Sequence, residues 1–386
     1  MTSRIVVAGS VAQRPGRGGH TWVFLQYLLG FRQLGYDVLF LDRLEPEMCV
    51  DEAGERCSVD QSVNLSYLLN VLRTFGLERN FAVLYDDGKR VIGMSRAKLI
   101  EVVKNSALLL NVMGFLDDDE ILGQAQRRAL LDIDPGFGQI WHAAGLHKLF
   151  KAHDGYITIG QNIGQRYCAI PSCGYEWVTT PQPVVLQRWP AQPTRGTKFT
   201  TVASWRGPFA PLEFQGQTYG LRVHEFRKFF DLPKLTGREF EVALDIDAAD
   251  HKDLAALEQG NWQLADPGRV AANPNAYQRF IQESKAEFMV AKNMYVQSTS
   301  GWVSDRSICY LASGKPVLAQ DTGIGHRYPV GAGLLTFTTL EEAAAGVEEI
   351  CGNYDHHARA ARDLTEAYFD SKLVLSRLLD QLGVDL

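Results

Sequence analysis

The sequence predicts a two-domain α/β protein in which each domain is a parallel sheet flanked by helices, and three observations carry that prediction. A chain of 386 residues is about two and a half times the usual domain length, so two cores are expected. The residues from Arg4 to Asp42 run strand, glycine-rich loop, helix, strand. That is the order of a βαβ unit. Beyond a proline-rich stretch the same alternation begins again.

The elements follow in chain order. Arg4 to Ala8 is a short β-branched run, and Gly9 to Gly19 is a loop with four glycines and Pro15. From His20 to Leu34 the residues Trp22, Leu25, Leu28, Leu29 and Phe31 recur at helical spacing, and Gly35 ends the helix before the strand Asp37 to Asp42. Further strands are expected at Phe81 to Tyr85, Ala107 to Met113 and Gly155 to Ile159. Between Thr180 and Thr197 stand Pro181, Pro183, Pro190 and Pro193. Neither a helix nor a central strand survives that density. The alternation then resumes with a strand Phe199 to Ala203, a helix near Val223 to Phe230, a strand Phe240 to Ile246, a helix Tyr277 to Glu287, and strands Glu287 to Gln297 and Pro316 to Gln320. From about His356 the positions Ala360, Leu364, Tyr368, Leu373, Leu375 and Leu378 mark terminal helices. The expected division is therefore 1–180, a linker 181–197, a second domain 198–355 and crossing helices 356–386.

Composition narrows the class. Hydrophobic residues are 46% and charged residues 22% of the chain, which excludes an intrinsically disordered protein. The net charge is −6, so no general basic field attracts a nucleic-acid polymer or an anionic bilayer. Any anion must be caught by a local site. The longest apolar run, Ser106 to Leu116, holds Asn111 and is closed by Asp117, Asp118 and Asp119, too short to span a bilayer. Met1 to Val7 runs straight into a strand pattern without an export leader, and the six scattered cysteines have no zinc spacing. A cytoplasmic protein with reduced thiols and no metal is expected.

Ligands of parallel sheets bind beyond the carboxyl ends of the strands, which directs attention to the loops after them. His20 stands where the first helix begins, and its near-neutral proton affinity suits it to deprotonate a hydroxyl. In the second domain, Ser300, Gly301 and Ser304 precede a helix whose start can meet a phosphate, with Arg306 adding charge. Gln320, Asp321, Thr322 and Gly323 directly follow a strand, where a carboxylate beside an amide suits vicinal sugar hydroxyls. Arg206 follows the first strand of the second domain and is a candidate cation for a leaving group. Asp132 and Asp134 lie in a turn closed by Pro135, where a carboxylate is placed to brace His20 or hold an acceptor. Trp141, His142 and His147 are outer candidates for an acceptor pocket.

Together, Gly18-Gly19-His20, the run Ser-Gly-Trp-Val-Ser-Asp-Arg-Ser from Ser300, Leu311-Ala312-Ser313-Gly314-Lys315-Pro316-Val317 and Gln320-Asp321-Thr322-Gly323 resemble the nucleotide-sugar glycosyltransferases of the GT-B fold. The resemblance implies two Rossmann-like domains facing each other across a cleft, with a C-terminal helix crossing back to the first. It implies a UDP- or dTDP-type sugar as co-substrate, no further cofactor, and a small-molecule acceptor. It places Gly301, Ser304, Asp305 and Arg306 around the diphosphate, Gln320 and Asp321 against the sugar, and His20 as the base of an inverting reaction. The chain departs from the pattern at Cys309, where many relatives carry a ribose-binding glutamate; Asp305 is one candidate for that role, and the nucleotide's identity is left open by the departure. A sugar-nucleotide epimerase and a non-catalytic sugar-nucleotide-binding protein share this scaffold and stand as alternatives.

Overall fold

The structure is a computed structural model that describes residues 3–147, 150, 152–193 and 196–384. Residues 194 and 195 of the expected linker and the last two of the terminal segment lie outside the described residues. The first sheet contains β1 (Arg4–Ala8), β2 (Asp37–Leu44), β3 (Phe81–Tyr85), β4 (Arg90–Ile92), β5 (Leu108–Val112), β6 (Arg128–Asp132), β7 (Gly155–Thr158) and β8 (Trp177–Thr179). Their order is β4-β3-β2-β1-β5-β6-β7-β8. Only β3 with β4 is antiparallel. The second sheet is parallel throughout: β9 (Phe199–Ser204), β12 (Phe240–Asp245), β13 (Gln263–Ala265), β14 (Ala286–Met289), β15 (Val317–Gln320) and β16 (Leu334–Phe337), in the order β13-β12-β9-β14-β15-β16. An antiparallel hairpin, β10 (Leu212–Phe214) and β11 (Gln217–Tyr219), stands between β9 and the next helix.

Strand order reverses between β1 and β5 in one sheet and between β9 and β14 in the other. Each reversal opens a crevice at the carboxyl ends of its strands. The strands themselves explain their burial: Ile5, Val6 and Val7 in β1 and Leu108, Leu109 and Leu110 in β5 have no exposed surface, as covered parallel strands require. The two lobes share apolar contact as well. Trp22, on the helix Gly18–Gln33, lies 4.9 Å from Trp189 of the proline-rich segment and donates its indole N–H to the carbonyl of Pro274, at 2.9 Å.

The terminal helices are two, Tyr354–Tyr368 and Ser371–Gln381. Between them the chain pairs with the proline-rich segment: Val184 N–H donates to the Phe369 carbonyl at 2.8 Å, and Ser371 N–H to the Val184 carbonyl at 2.9 Å. On the first helix, Gly30 lets Leu375 approach, since a Cβ there would lie 2.5 Å from its Cδ1.

Three expected boundaries are corrected. The first helix begins at Gly18 rather than His20. The helix expected at Tyr277 to Glu287 is Pro274–Glu283, opened by Asn273, whose Oδ1 accepts from Ala276 N–H at 3.0 Å, with proline at the first helical position. The strand expected over Glu287 to Gln297 is only β14, followed by a short helix Asn293–Gln297. Apolar alternation ran on through Met294 and Tyr295, which are buried on a helical turn rather than in the sheet.

Candidate active site

The carboxyl ends of both sheets face one cavity of about 690 Å³. Loops after β1 and β6 supply one wall, and loops after β9, β12 and β14 supply the other. On the second wall the helix Asp305–Ala312 starts at Ser304, whose Oγ accepts from Arg306 N–H at 3.2 Å. Ser304, Asp305 and Arg306 all line the cavity. Burial pushes the Asp305 carboxyl up, against the opposing charge of Arg306. The Arg306 guanidinium is buried and donates from Nε to Glu287 Oε1 at 2.5 Å and from Nη1 to the Val202 carbonyl at 2.6 Å.

Arg222 is the unexpected member of this wall. It is 9% exposed and donates to two carbonyls, those of Val290 at 2.9 Å and Ser204 at 3.0 Å. Among the described residues it pairs with no carboxylate. Burial, reinforced by the charge of Arg306, pulls its pKa down to about 10. Of the two guanidiniums, Arg306 forms an ion pair, with Glu287, and Arg222 bonds to backbone carbonyls.

Lys292, just beyond β14, bridges the lobes. Its Nζ lies 2.5 Å from Asp134 Oδ2, and the Tyr295 hydroxyl donates to the other carboxylate oxygen. The ammonium also lies over the rings of Phe137, Tyr295 and Phe209, at 5.1, 5.4 and 5.8 Å from their centres. Asp134 lines the cavity as expected, but its bonds go to Lys292 and Tyr295. It does not brace His20. Asp132, its neighbour, accepts instead from Gln139 at 2.6 Å and Thr158 at 2.9 Å, and burial lifts its pKa to about 6.

On the first wall, His20 Nε2 lies 3.1 Å from the Ser10 carbonyl and 3.0 Å from Ser10 Oγ. A carbonyl only accepts, so that contact places the proton on Nε2 and the lone pair on Nδ1. The ring stands edge-on to Phe24, 5.1 Å away. Burial, then the charge of Arg14 and less so Arg17, lowers its pKa to about 4 against the Ser10 carbonyl, which raises it. The imidazole is neutral at physiological pH. Gly19 admits the neighbouring lobe: a Cβ there would sit 2.8 Å from the Tyr277 ring.

Several expected site residues are elsewhere. Ser300 Oγ accepts from Trp302 N–H at 3.3 Å and donates to the Tyr295 carbonyl at 3.3 Å, closing a buried turn. Gly301 has φ +70°, and a Cβ there would meet Asn162 at 2.6 Å. Gly323, at φ +83°, would meet Thr299 at 2.6 Å and Asn162 at 2.7 Å. Asn162 in turn donates to the carbonyls of Thr299 and Gly323 at 3.0 and 3.1 Å. These glycines therefore seat the second lobe on the first, outside the cavity lining. Gln320 is 1% exposed, accepting from Ala291 N–H at 3.1 Å and donating to Glu225. Thr322 donates to the Trp302 carbonyl at 2.7 Å, and Asp321 Oδ1 caps Gly323 and Ile324 N–H at 2.8 and 3.1 Å. None of the four faces the cavity. Gly323 meets the first lobe at Asn162, whereas Gln320, Asp321 and Thr322 bond within the second lobe.

Arg206 does line the cavity, exposed and held by Asp250, with Nε 3.1 Å from each carboxylate oxygen. Cys309 is 3% exposed and takes a long contact from Gln26 Nε2 at 3.8 Å, within the packing between lobes and away from the cavity. Trp141 packs on Phe209 at 4.9 Å and His142 on Phe150 at 4.8 Å, both apart from the cavity lining. His147 does not line it either. Sequence reading missed Arg222, Lys292 and Tyr295. Lys292 was findable once β14 ended at Met289, whereas Arg222 sits behind the unforeseen β10–β11 hairpin.

Among the described residues no three His, Cys, Asp or Glu side chains converge as a metal site, and no helix is long and apolar enough to cross a membrane. No family model and no curated protein matches the sequence. Solved structures do match in shape. An alpha-glucosyltransferase solved with UDP-glucose and DNA containing an abasic site has a TM-score of 0.59 at 11% identity, over 99% of both chains. Anabaena HepE, solved with UDP and glucose, has a TM-score of 0.55 at 13% identity, and the sucrose-phosphate synthase of Thermosynechococcus elongatus 0.53 at 11%, each over 99% of both chains. At such identities the likeness is one of architecture: the chain has the two-domain GT-B fold of glycosyltransferases.

Proposed function

We propose that the protein transfers a sugar from a nucleoside-diphosphate sugar of UDP or dTDP type to a hydroxyl of a small acceptor, with inversion, and that residues 1–180 and 198–355 are its acceptor and donor lobes. The observation that carries this reading is Arg222, a buried guanidinium on the cavity wall without a carboxylate partner among the described residues. A diphosphate beside it and the Ser304 helix start receives charge-assisted hydrogen bonds and relieves the repulsion between Arg222 and Arg306. Asp305, at the same helix start, is the group in reach of the nucleotide ribose.

The acceptor hydroxyl gives its proton to His20 Nδ1 while its oxygen bonds to the anomeric carbon and the bond to the diphosphate breaks. Negative charge gathers on the departing phosphate. Arg222, Arg306 and the helix-start amides stabilise it there, with Arg206 at the rim. Asp134 acts through Lys292, keeping that ammonium within the cavity. The solved relatives that bind UDP favour the uracil nucleotide. The acidic net charge of −6 favours a small acceptor over a polyanion, although some of those relatives were solved with DNA.

The test is a thermal-shift series with UDP, dTDP and their glucose esters, followed by product analysis with and without acceptors. A native-state ligand raises the melting temperature. Stabilisation by one nucleotide and acceptor-dependent sugar transfer support the reading. No stabilisation by either nucleotide rejects it, and sugar interconversion without acceptor replaces it with an epimerase.

A further inference from the structure

Six cations line the cavity: Arg14, Arg17, Arg206, Arg222, Lys292 and Arg306. Four are held by carboxylates: Arg17 by Asp245 at 2.9 Å, Arg206 by Asp250, Lys292 by Asp134 and Arg306 by Glu287. Arg222 is buried on the donor wall between two carbonyls. Arg14 stands apart. Among the described residues its guanidinium has neither an ion pair nor a hydrogen bond, and it belongs to the opposite wall, with His20.

The loop that presents Arg14 is firmly built. Asp42, 1% exposed at β2, accepts from Ala12 N–H at 2.6 Å and from Gln13 Nε2 at 3.3 Å. Asn64 donates to the Ala12 carbonyl at 2.9 Å, and Arg14 N–H closes a turn on the Val11 carbonyl at 3.2 Å. A carboxylate is buried at considerable cost, its pKa lifted to about 7, to fix the two residues before Arg14. Of the charges acting on His20, that of Arg14 is the strongest. Arg14 is exposed to solvent where it lines the cavity. A cation beside a base opposes proton uptake, and an anion bound to it would remove that opposition.

We infer that Arg14 anchors the acceptor, which carries an anionic group, a phosphate monoester or a carboxylate, that pairs with Arg14 and so brings the acceptor's hydroxyl to His20. The inference rests on the proposed nucleotide-sugar reading, because it assigns the donor diphosphate to the other wall. The bound anion also offsets the Arg14 charge, which after burial is the next cause of His20's lowered proton affinity.

The experiment is calorimetry on the full chain saturated with UDP, using phenyl phosphate, phenylacetate and phenol as probes, for wild type, Arg14→Ala and Arg14→Lys. UDP affinity measured beforehand tests the nucleotide reading separately. One anionic probe is expected to bind wild type at least about tenfold more tightly than phenol, to lose about tenfold or more in Arg14→Ala, and to regain part in Arg14→Lys, with UDP affinity unchanged. The phosphate and carboxylate probes distinguish the two sources of charge. Equal binding of phenol and both anions overturns the inference, as does an Arg14→Ala protein that weakens UDP as much as the probe, which would assign Arg14 to the donor. If UDP itself does not bind, the nucleotide reading fails, and the same probes titrated without UDP still decide whether Arg14 selects an anion.

Discussion

Two turns only three residues apart, Ser300-Gly301 and the helix start at Ser304, are built from the same small and hydroxylated residues and do opposite work. Ser304 opens a helix whose first residues line the cavity beside Arg222. Gly301, with Gly323, is pressed against Asn162 of the other lobe, where no side chain fits. One turn leaves space for a ligand, and the other has had its space taken by the protein. Residue type sets what a turn can do; the neighbouring lobe decides which of those things it does.

Substitutions that separate the two regions sharpen this contrast, and the largest effect is expected at the cavity. His20→Ala should lower sugar transfer by about 10²- to 10⁴-fold while leaving UDP affinity within about twofold, read by steady-state kinetics and calorimetry. Transfer at the wild-type rate removes His20 as the base. Arg306→Ala should cost about 3–5 kcal/mol of stability in denaturant unfolding, because Glu287 is left buried without its partner. A loss below about 1 kcal/mol would show that the pair is wet.

Gly301→Ala should cost about 1–3 kcal/mol, from its positive φ and the Asn162 contact, without changing UDP affinity. Adding Asn162→Ala should return part of that loss, and strict additivity in the double-mutant cycle would contradict the seat. The smallest effect is a pH slope. His20 is lowered from its ordinary 6.5 to about 4, so its contribution to stability is complete above pH 6.5 and is lost as pH falls toward 4. Relative to His20→Gln, the wild type should lose on the order of 1 kcal/mol between pH 7 and 5, less than the full shift because cavity water screens the ring. Parallel stability curves for the two proteins would mean that the imidazole is not desolvated.

The fold was legible wherever local pattern and tertiary role agree. The βαβ opening, the proline break and the second alternation follow from periodicity alone, and the covered strands read as continuous apolar runs. Element ends were less legible near the cavity, since Met294 and Tyr295 are apolar for a helical turn yet sit in phase with β14. Of the site, His20, Asp134, Arg206, Ser304, Asp305 and Arg306 could be placed on the cavity from their position after strands or at helix starts. Gln320 through Gly323 obeyed the same positional rule but do not line the cavity: Gln320, Asp321 and Thr322 bond within the second lobe, and Gly323 meets Asn162. No local signal distinguishes the two cases. Arg222 was hidden for the opposite reason: its importance lies in lacking a carboxylate partner, a property that exists only in three dimensions.

The most direct test of the account is UDP affinity, measured by calorimetry on wild type, Arg222→Ala and Gly301→Ala at a temperature where all three are folded. If the diphosphate lies at the Ser304 helix start, Arg222→Ala should weaken UDP by about tenfold or more and Gly301→Ala should leave it unchanged. Unaltered UDP affinity in Arg222→Ala, or a loss confined to Gly301→Ala, would move the nucleotide to the seat around Asn162 and contradict the division of labour between the two turns.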